Sequence, residues 1–353
     1  GLCAMIGWAR ILMLFQVFLT SASAQSYTVE LVQKNPKPVM SPQNQHGKGY
    51  TPCNYTFNPA WIPKGPDNER TALLVRVAEC PENFGGQEDH IMFAFCEADG
   101  TCGDLMPVLF PFEPGAQDPR VVLTDDGWYL LYYWAQGTGD ATVYLRKTRT
   151  PLDPKSWERV GEALPWHRNG CVLLRETPPH YVIFGESDGH SPLPGIGIAT
   201  TTDFSQYKTV NSTWLEPNGA DSKEPEHVLE ASTPVAQLST GDYIHLYSAG
   251  TPGWNSSLHG GTGNYTAGWI ILDRNDPTKI KQRSKQHILG VDNLDYERGD
   301  GPYPALRYNT TFVTSIVPVT GEKDTFRLWW GAADAVVATG ILKVTVAYDQ
   351  VMV

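Results

Sequence analysis

The chain has 353 residues, of which 41% are hydrophobic and 11% aromatic, and its formal net charge is −11. This composition is sufficient for a sizeable core in one large domain or in two. The negative charge argues against nucleic acid or an anionic membrane as the main partner, because both bind basic surfaces. The 33 glycines and 27 prolines are spread along the chain, which favours many short strands joined by tight turns over long helices.

Residues 1–24 are predicted to form a secretory signal peptide. Arg10 precedes an apolar run at residues 11–15, and Ala-Ser-Ala at residues 22–24 provides a small-residue cleavage site. A transmembrane anchor is the alternative, but the uninterrupted apolar core is shorter than the ~20 residues that a span requires. We therefore expect a secreted or secretory-pathway protein, with residues 25–353 forming a single domain that has no membrane contact after cleavage.

The sequons and the cysteines agree with export. Of the six cysteines, Cys3 falls in the predicted signal, so five remain and at most four of them can pair. Cys96 and Cys102 flank a turn that contains glycine, which favours a local disulfide. No Cys and His spacing typical of a zinc site is present, and we expect neither a metal nor a cofactor. The Asn-x-Ser/Thr sequons are at Asn54, Asn211, Asn255, Asn264 and Asn309.

A similar unit occurs five times along the chain: a polar loop that often contains proline, an apolar strand, a Gly or Asp turn, and a second, aromatic strand. The clearest copy begins at Asp118, turns at residues 125–127 and adds a third strand at residues 142–147. The five units begin at residues 58, 118, 169, 233 and 303. This spacing predicts an all-β, five-bladed β-propeller. A β-sandwich or jelly roll is the alternative that strand alternation alone leaves open.

In a propeller the innermost strands begin near the axis, so the loops at the five unit starts are expected to line one mouth of the central channel. Arg76, in the strand after the first unit start, is a further cation that could reach this region. The candidates for one shared pocket are Asn58, Asp118, Arg168, Asn169, Glu230 and Tyr303.

Motifs at these positions resemble those of glycoside hydrolase family 130. Residues 117–120 are Gln-Asp-Pro-Arg where that family has Glu-Asp-Pro-Arg, and residues 331–334 are Gly-Ala-Ala-Asp, as in the family's last blade. Residues 247–249 are Tyr-Ser-Ala where the family has Tyr-His-Gly. The resemblance extends from about residue 58 to residue 338 and implies a five-bladed propeller that acts on β-mannosides. Glycosidases of families 43 and 32 share Asp-Pro-Arg but not the remaining motifs.

The resemblance also implies roles for individual residues. Asp118 matches the family's proton donor, which acts through a sugar hydroxyl while phosphate attacks the anomeric carbon with inversion; alternatively it caps the turn before Pro119. Arg120 would hold a carboxylate or a sugar hydroxyl with its planar set of donors, or would form a salt bridge between blades. Asp334 is a candidate sugar-binding residue, or a structural one.

Two departures from the family bear on the choice of nucleophile. Ser248 stands in place of the histidine of Tyr-His-Gly, and Glu186 stands where the family has an arginine. Phosphate binding needs several cationic donors, and a glutamate repels phosphate, while Arg76 and Arg168 remain as candidate cations. We therefore expect a hydrolase acting on β-1,2- or β-1,4-linked manno-oligosaccharides or on N-glycan-type glycans, with phosphate disfavoured.

An inverting hydrolase needs a second carboxylate roughly 6.5–9.5 Å from the first, to activate water. Glu230 and Glu297 are the candidates, and no spacing rule chooses between them. A mannosyl phosphorylase with an altered phosphate site and a non-catalytic glycan-binding propeller are the alternative functions. Aromatic rings for sugar stacking are abundant. They include Trp61, Tyr133, Trp134, Trp254, Tyr303, Trp329 and Trp330.

Overall fold

The computed structural model contains five antiparallel sheets arranged as a five-bladed β-propeller, which confirms the predicted fold. Among the residues that it describes, no helix is long and apolar enough to cross a membrane. The predicted signal peptide, Cys53, Cys80 and Asn54 lie outside the described residues. The described residues are 25–41, 55–78, 89–106, 110–135, 142–165, 167–187, 195–220, 222–255, 261–292, 294–300, 303 and 305–348.

The strands follow one another blade by blade, except that the first strand, β1 (Gln25–Lys34), belongs to the last blade. Blade 1 contains β2 (Tyr55–Ile62), β3 (Ala72–Ala78), β4 (His90–Cys96) and β5 (Cys102–Met106). Blade 2 contains β6 (Gln117–Leu123), β7 (Tyr129–Ala135), β8 (Thr142–Thr148) and β9 (Glu158–Pro165). Blade 3 contains β10 (His167–Leu173), β11 (His180–Ser187), β12 (Ile196–Thr201) and β13 (Lys208–Leu215).

Blade 4 is interrupted at its inner edge, where two short strands pair with the same neighbour. It contains β14 (Val228–Ala231), β15 (Ala236–Gln237), β16 (Tyr243–Gly250), β17 (Tyr265–Leu272) and β18 (Ile280–Arg283). A four-residue helix, α1 (Asp295–Arg298), precedes blade 5. Blade 5 contains β19 (Thr311–Pro318), β20 (Thr325–Ala332) and β21 (Val336–Tyr348), with β1 outermost.

Strand β1 closes the ring by pairing with β21 over most of its length. It also contacts blade 4, where the Tyr27 amide donates to Gln282 Oε1 at 2.8 Å and Gln282 Nε2 donates to the Tyr27 carbonyl at 2.7 Å. The Tyr27 hydroxyl donates to Asp242, which also pairs with Lys281. Strand β1 therefore connects the fourth and fifth blades through hydrogen bonds.

The core follows the apolar pattern of the inner and middle strands. Strands β2, β3, β7, β16 and β17 are buried at every residue, whereas most of the outer strand β13 is exposed. Large aromatic side chains fill the space between blades, as where Trp61 stacks on Trp329 with ring centroids 5.8 Å apart. This packing holds neighbouring blades in fixed positions, so the residues at their inner ends are also fixed.

The predicted local disulfide between Cys96 and Cys102 is confirmed. Cys171 is a buried free cysteine, and burial raises the pKa of its thiol to about 11, so it is uncharged. Export remains a prediction. Of the sequon asparagines that the structure describes, Asn309 is half-buried and the others are exposed. The exposed ones are Asn211, Asn255 and Asn264.

Candidate functional site

The first strand of each of the first three blades contains the same β-bulge. In each bulge two residues face one residue of the neighbouring strand. The first bulged residue is Asn58, Asp118 or Asn169, with φ of +49°, +52° and +54° respectively. Asn and Asp adopt this left-handed conformation more readily than most residues. Three equivalent polar side chains are therefore placed at the starts of three neighbouring blades.

A cleft at the centre of the propeller is lined by residues from all five blades. Of the five predicted unit starts, Asn58 and Asp118 are in this lining. Three arginines and three carboxylates line the cleft, so its formal charges balance. The lining residues are Asn58, Arg76, Gln117, Asp118, Trp134, Arg168, Glu230, Trp254, Tyr265, Arg307, Thr310, Phe312 and Asp334.

Asp118 is buried at the cleft, with 4% of its surface exposed. Its Oδ1 accepts from Asn58 Nδ2 at 2.7 Å and from Arg76 Nη1 at 3.1 Å. Burial by itself raises the pKa of Asp118, but the nearby Arg76 and Arg120 outweigh burial and lower the pKa below its usual value. Asp118 is therefore a carboxylate at neutral pH in the ligand-free protein.

Arg120 is 1% exposed and lies behind the cleft, outside its lining. Its Nη1 donates to the Asp118 and Pro119 carbonyls, each at 3.0 Å, and its Nε donates to the Ser232 carbonyl in blade 4. Its Nη2 lies 3.4 Å from Asn169 Oδ1. Arg120 therefore holds the backbone of the Asp118 bulge, because its donors go to carbonyl and amide oxygens.

Glu230 lies on the blade 4 side of the cleft. Its Oε1 accepts from Asn169 Nδ2 at 3.0 Å, and its Oε2 accepts from the Tyr265 hydroxyl. Asn169 thus connects Arg120 to Glu230. Ser248, opposite Glu230 in the sheet, is buried and bonded to the Ser232 hydroxyl at 2.8 Å.

Asp334 and Arg307 form the blade 5 side of the cleft. Arg307 Nε lies 3.5 Å from Asp334 Oδ2, and the Arg307 amide donates to the Ala333 carbonyl at 3.1 Å. Burial and the nearby Asp118 raise the pKa of Asp334, although Arg307 and Arg76 act in the opposite direction. One cleft therefore contains two carboxyl groups whose pKa values are shifted in opposite directions.

Two arginines of the cleft, Arg168 and Arg307, are partly exposed and can therefore contact a ligand. Arg168 is half-buried, with its guanidinium carbon 4.2 Å from the centre of the Trp134 ring. The Arg307 side chain is 26% exposed. Arg307 was not predicted from the sequence, because its only local signal is a positive charge in the loop before blade 5. Tyr265, Thr310 and Phe312 also line the cleft and were not predicted.

Four predicted site residues are not in the cleft lining. Arg120 and Asn169 contact the lining residues Asp118 and Glu230 from behind, whereas Glu297 and Tyr303 lie apart from the cleft. Glu297 lies in α1, is fully buried, and pairs with Lys34 of β1 at 2.7 Å. Tyr303 packs edge-on against Tyr296, with ring centroids 6.2 Å apart. The fifth blade starts at Thr311 rather than at residue 303, so Tyr303 precedes the blade and is not at its inner end.

The aromatic candidates divide in the same way. Trp134 and Trp254 line the cleft, so they can contact a sugar. The remaining ones, apart from Tyr303, are buried between and within blades and contribute to packing. These are Trp61, Tyr133, Trp329 and Trp330.

Most glycoside hydrolases use two carboxyl groups that flank the scissile bond. The cleft contains three, Asp118, Glu230 and Asp334. A family model described as beta-1,4-mannooligosaccharide phosphorylase, of glycoside hydrolase family 130, matches residues 112–351. Because this match covers more than half of the chain, the protein belongs to glycoside hydrolase family 130.

The three curated relatives that match are named as phosphorylases. The beta-1,4-mannooligosaccharide phosphorylase of Ruminococcus albus is 23% identical over 316 residues, which cover 84% of this chain and 85% of that protein. The beta-1,2-mannobiose phosphorylase of a Thermoanaerobacter species is 25% identical over 330 residues, which cover 89% of this chain and 97% of that protein.

Solved structures show the same fold. The beta-1,2-mannobiose phosphorylase from Listeria innocua has a TM-score of 0.68 and 16% identity, with 89% of this chain and 96% of that chain covered. A second family 130 structure has a TM-score of 0.67 and 18% identity, with 92% and 95% covered. It comes from work on family members that hydrolyse beta-1,2 mannosidic linkages in Candida mannan.

The expectation of a glycosidase, with phosphorolysis the less favoured reaction, is wrong, because the named relatives are phosphorylases. Phosphate was disfavoured because of Ser248 and Glu186, with Arg76 and Arg168 as the remaining candidate cations. The cleft lining contains both of these arginines and, in addition, Arg307, which was not predicted. The two aligned positions therefore did not represent all the cations available in the site.

Proposed function

We propose that this protein is an inverting phosphorylase that cleaves β-linked manno-oligosaccharides with inorganic phosphate. One observation carries the proposal: the buried Asp118 carboxylate shares its cleft with two partly exposed arginines, Arg168 and Arg307. Membership of family 130 and the phosphorylase relatives support this combination of carbohydrate and phosphate chemistry.

Arg168 and Arg307 are the proposed phosphate ligands. A guanidinium presents planar, paired donors that match phosphate oxygens, and its charge is retained at any working pH. Arg76 is less suited to this role, because it is 5% exposed and already contacts Asp118 and Asp89. The Arg307 contact with Asp334 is long, at 3.5 Å, so phosphate can compete for this guanidinium.

Asp118 is the proposed proton donor, and it must first take up a proton. The pKa of Asp118 is lowered in the ligand-free cleft. A bound phosphate adds negative charge and a bound sugar excludes water, and both changes raise the pKa of a nearby carboxyl group. Substrate binding therefore converts Asp118 from a carboxylate into an acid.

The proposed reaction is a single displacement. The bond between the anomeric carbon and the leaving sugar oxygen breaks while a phosphate oxygen bonds to the opposite face of that carbon. The leaving oxygen takes the proton supplied by Asp118, through a hydroxyl of the substrate. Hydrogen phosphate releases its own proton to solvent, which replaces the proton that Asp118 took up when substrate bound. The products are a shortened oligosaccharide and α-mannose 1-phosphate, so atoms and charge balance.

Asp334 and the two cleft tryptophans are the proposed sugar-binding residues. Asp334 is buried in the cleft lining, and its carboxyl oxygens can accept hydrogen bonds from sugar hydroxyls. Trp134 and Trp254 supply flat apolar surfaces for the sugar rings. The named relatives act on β-1,4- or β-1,2-linked mannosides, so both linkages are candidate substrates.

The reverse reaction, synthesis of a disaccharide from mannose 1-phosphate, tests both the proposed function and the linkage that the protein acts on. The purified protein is incubated with α-mannose 1-phosphate and mannose, and the disaccharide product is identified by NMR. We expect a β-1,2- or β-1,4-linked mannobiose together with released inorganic phosphate. β-Mannose 1-phosphate as the donor is the matched control and should be inert. Equal use of both anomers, or no disaccharide from either, would contradict the proposal.

A further inference from the structure

Arg76 is held between two buried carboxylates. Its Nε and Nη2 donate to Asp89 Oδ2 at 3.0 and 2.6 Å, and its Nη1 donates to Asp118 Oδ1 at 3.1 Å. Asp89 and Arg76 are only 2% and 5% exposed. The Phe57 ring lies against the guanidinium, with 4.7 Å between the guanidinium carbon and the ring centre. The orientation of Arg76 is therefore fixed by three neighbours.

Asp89 determines which edge of the guanidinium faces the cleft. An arginine has five donors in a rigid plane, so occupying the Nε and Nη2 edge leaves the Nη1 side for another acceptor. Asp89 Oδ1 is buried without a hydrogen-bond partner among the described residues, so Oδ2 makes the contacts with Arg76. Asp89 is not part of the cleft lining and acts on it through Arg76.

Asp89 also offsets part of the positive charge of Arg76 that acts on Asp118. Burial and the nearby Asp118 raise the pKa of Asp89, while Arg76 lowers it, so the two carboxylates interact through the same cation. With Asp89 ionised, Arg76 is shared between two negative charges. Without that charge, Asp118 would face an uncompensated arginine and would hold its proton less readily.

We propose that Asp89 is a positioning residue for the reaction at Asp118: it orients Arg76 and shares its charge, so that Asp118 can take up the proton that it later transfers. This inference rests on the proposed function, because it assigns proton transfer to Asp118.

Other charged groups face the same carboxylates and remain in place when Asp89 is changed. Asp118 is also influenced by Arg120 on its own strand and by Arg168 of blade 3. Asp334 of blade 5 interacts with Arg76 and Asp118, and His90 acts on Asp89. Any change seen in Asp89→Asn but not in a variant that restores the charge therefore arises from Asp89 itself.

The test compares Asp89→Asn, which removes the charge, with Asp89→Glu, which restores it. In Asp89→Asn we expect kcat for phosphorolysis to fall by about tenfold or more. The alkaline limb of the kcat profile should move to lower pH by about one unit, because Asp118 is then a stronger acid in the substrate complex. The KM for mannobiose should change little, and Asp89→Glu should recover part of kcat and of the pH shift.

A second readout does not depend on turnover. The carboxyl carbon of Asp118, assigned by its loss in Asp118→Asn, is titrated by NMR in the wild type and in Asp89→Asn. A lower midpoint in Asp89→Asn supports the inference even if no phosphorolysis is found, and then only the proposed function fails. An unchanged midpoint, in a folded Asp89→Asn protein with an unshifted pH profile, overturns the inference and leaves the proposed function intact.

Discussion

Arg76 Nη1 lies 3.1 Å from Asp118 Oδ1, and this contact joins the second strand of blade 1 to the first strand of blade 2. A cation from one blade thus fixes a carboxylate of the next at the propeller axis. Asn58, at the start of blade 1, donates to the same oxygen at 2.7 Å. Charged groups held in this way need no rearrangement during the reaction, which is a major source of catalytic power in enzymes.

Replacing Asp118 by asparagine should remove the proton donor while keeping the shape of the side chain. We expect kcat on mannobiose to fall by roughly 10²-fold to 10⁴-fold, the usual contribution of general acid catalysis. On a 4-nitrophenyl β-mannoside, whose leaving group needs no proton, the kcat of Asp118→Asn should fall much less. The exposed Asp67→Asn is the matched control. Equal losses on both substrates would show that Asp118 does not supply the proton.

Replacing Arg168 or Arg307 by glutamine should weaken phosphate binding. Each guanidinium contributes charge-assisted hydrogen bonds, so we expect the KM for phosphate to rise by about tenfold or more in each variant. The KM for mannobiose should change less. Arg274→Gln, at an exposed arginine outside the cleft, is the control. A phosphate KM that stays at the wild-type value in both cleft variants would exclude these arginines as the phosphate site.

Glu230 places a negative charge in the cleft that phosphate enters. In Glu230→Gln we expect the KM for phosphate to fall several-fold, because repulsion between like charges is removed while the side chain keeps its size. The hydrogen bond from Tyr265 can persist, since the amide oxygen of glutamine also accepts. Initial rates at varied phosphate provide the measurement. Complete loss of turnover would instead show that the carboxylate itself takes part in the chemistry.

Glu297 should make the protein less stable as the pH rises. Burial raises the pKa of Glu297 from 4.5 to about 7, even though Lys34 opposes this shift. The folded protein therefore binds this proton more tightly than the unfolded chain, and the resulting stabilisation is present below pH 4.5 and lost as the pH rises through 7. The difference amounts to about 3 kcal/mol.

Denaturant unfolding from pH 4.5 to 8 compares the wild type with Glu297→Gln, which cannot ionise. We expect the variant to gain about 3 kcal/mol relative to the wild type across this range. Glu158→Gln, at a side chain that is 64% exposed, should show no such gain. If the free energy of unfolding changes with pH in the same way in the wild type and in Glu297→Gln, the raised pKa of Glu297 is contradicted.

Much of the fold could be predicted from the sequence because its signals are local. Each of the first three blades begins with Asn or Asp followed by Pro or Gly, the residue types that a bulge with positive φ requires. The start of blade 5 was misplaced because Tyr-Pro-Ala at residues 303–305 resembles Asn-Pro-Ala at residues 58–60. The actual first strand begins at Thr311, without a proline.

The site was only partly predictable because its remaining contacts are long-range. Glu297 looked like a catalytic candidate, but its partner Lys34 comes from a strand 263 residues earlier in the chain. Arg307 reaches the cleft because its backbone is bonded to Ala333 in the following hairpin. No local pattern reports either contact, so neither the burial of Glu297 against Lys34 nor the position of Arg307 in the cleft could be predicted.

The measurement that tests the central claim most directly is product analysis with β-1,2- and β-1,4-linked mannobiose, each with and without inorganic phosphate. The account predicts α-mannose 1-phosphate and mannose in equal amounts when phosphate is present, no cleavage when it is absent, and loss of both products in Asp118→Asn. Free mannose released at the same rate without phosphate would show that water is the acceptor, and would contradict the proposed phosphorolysis.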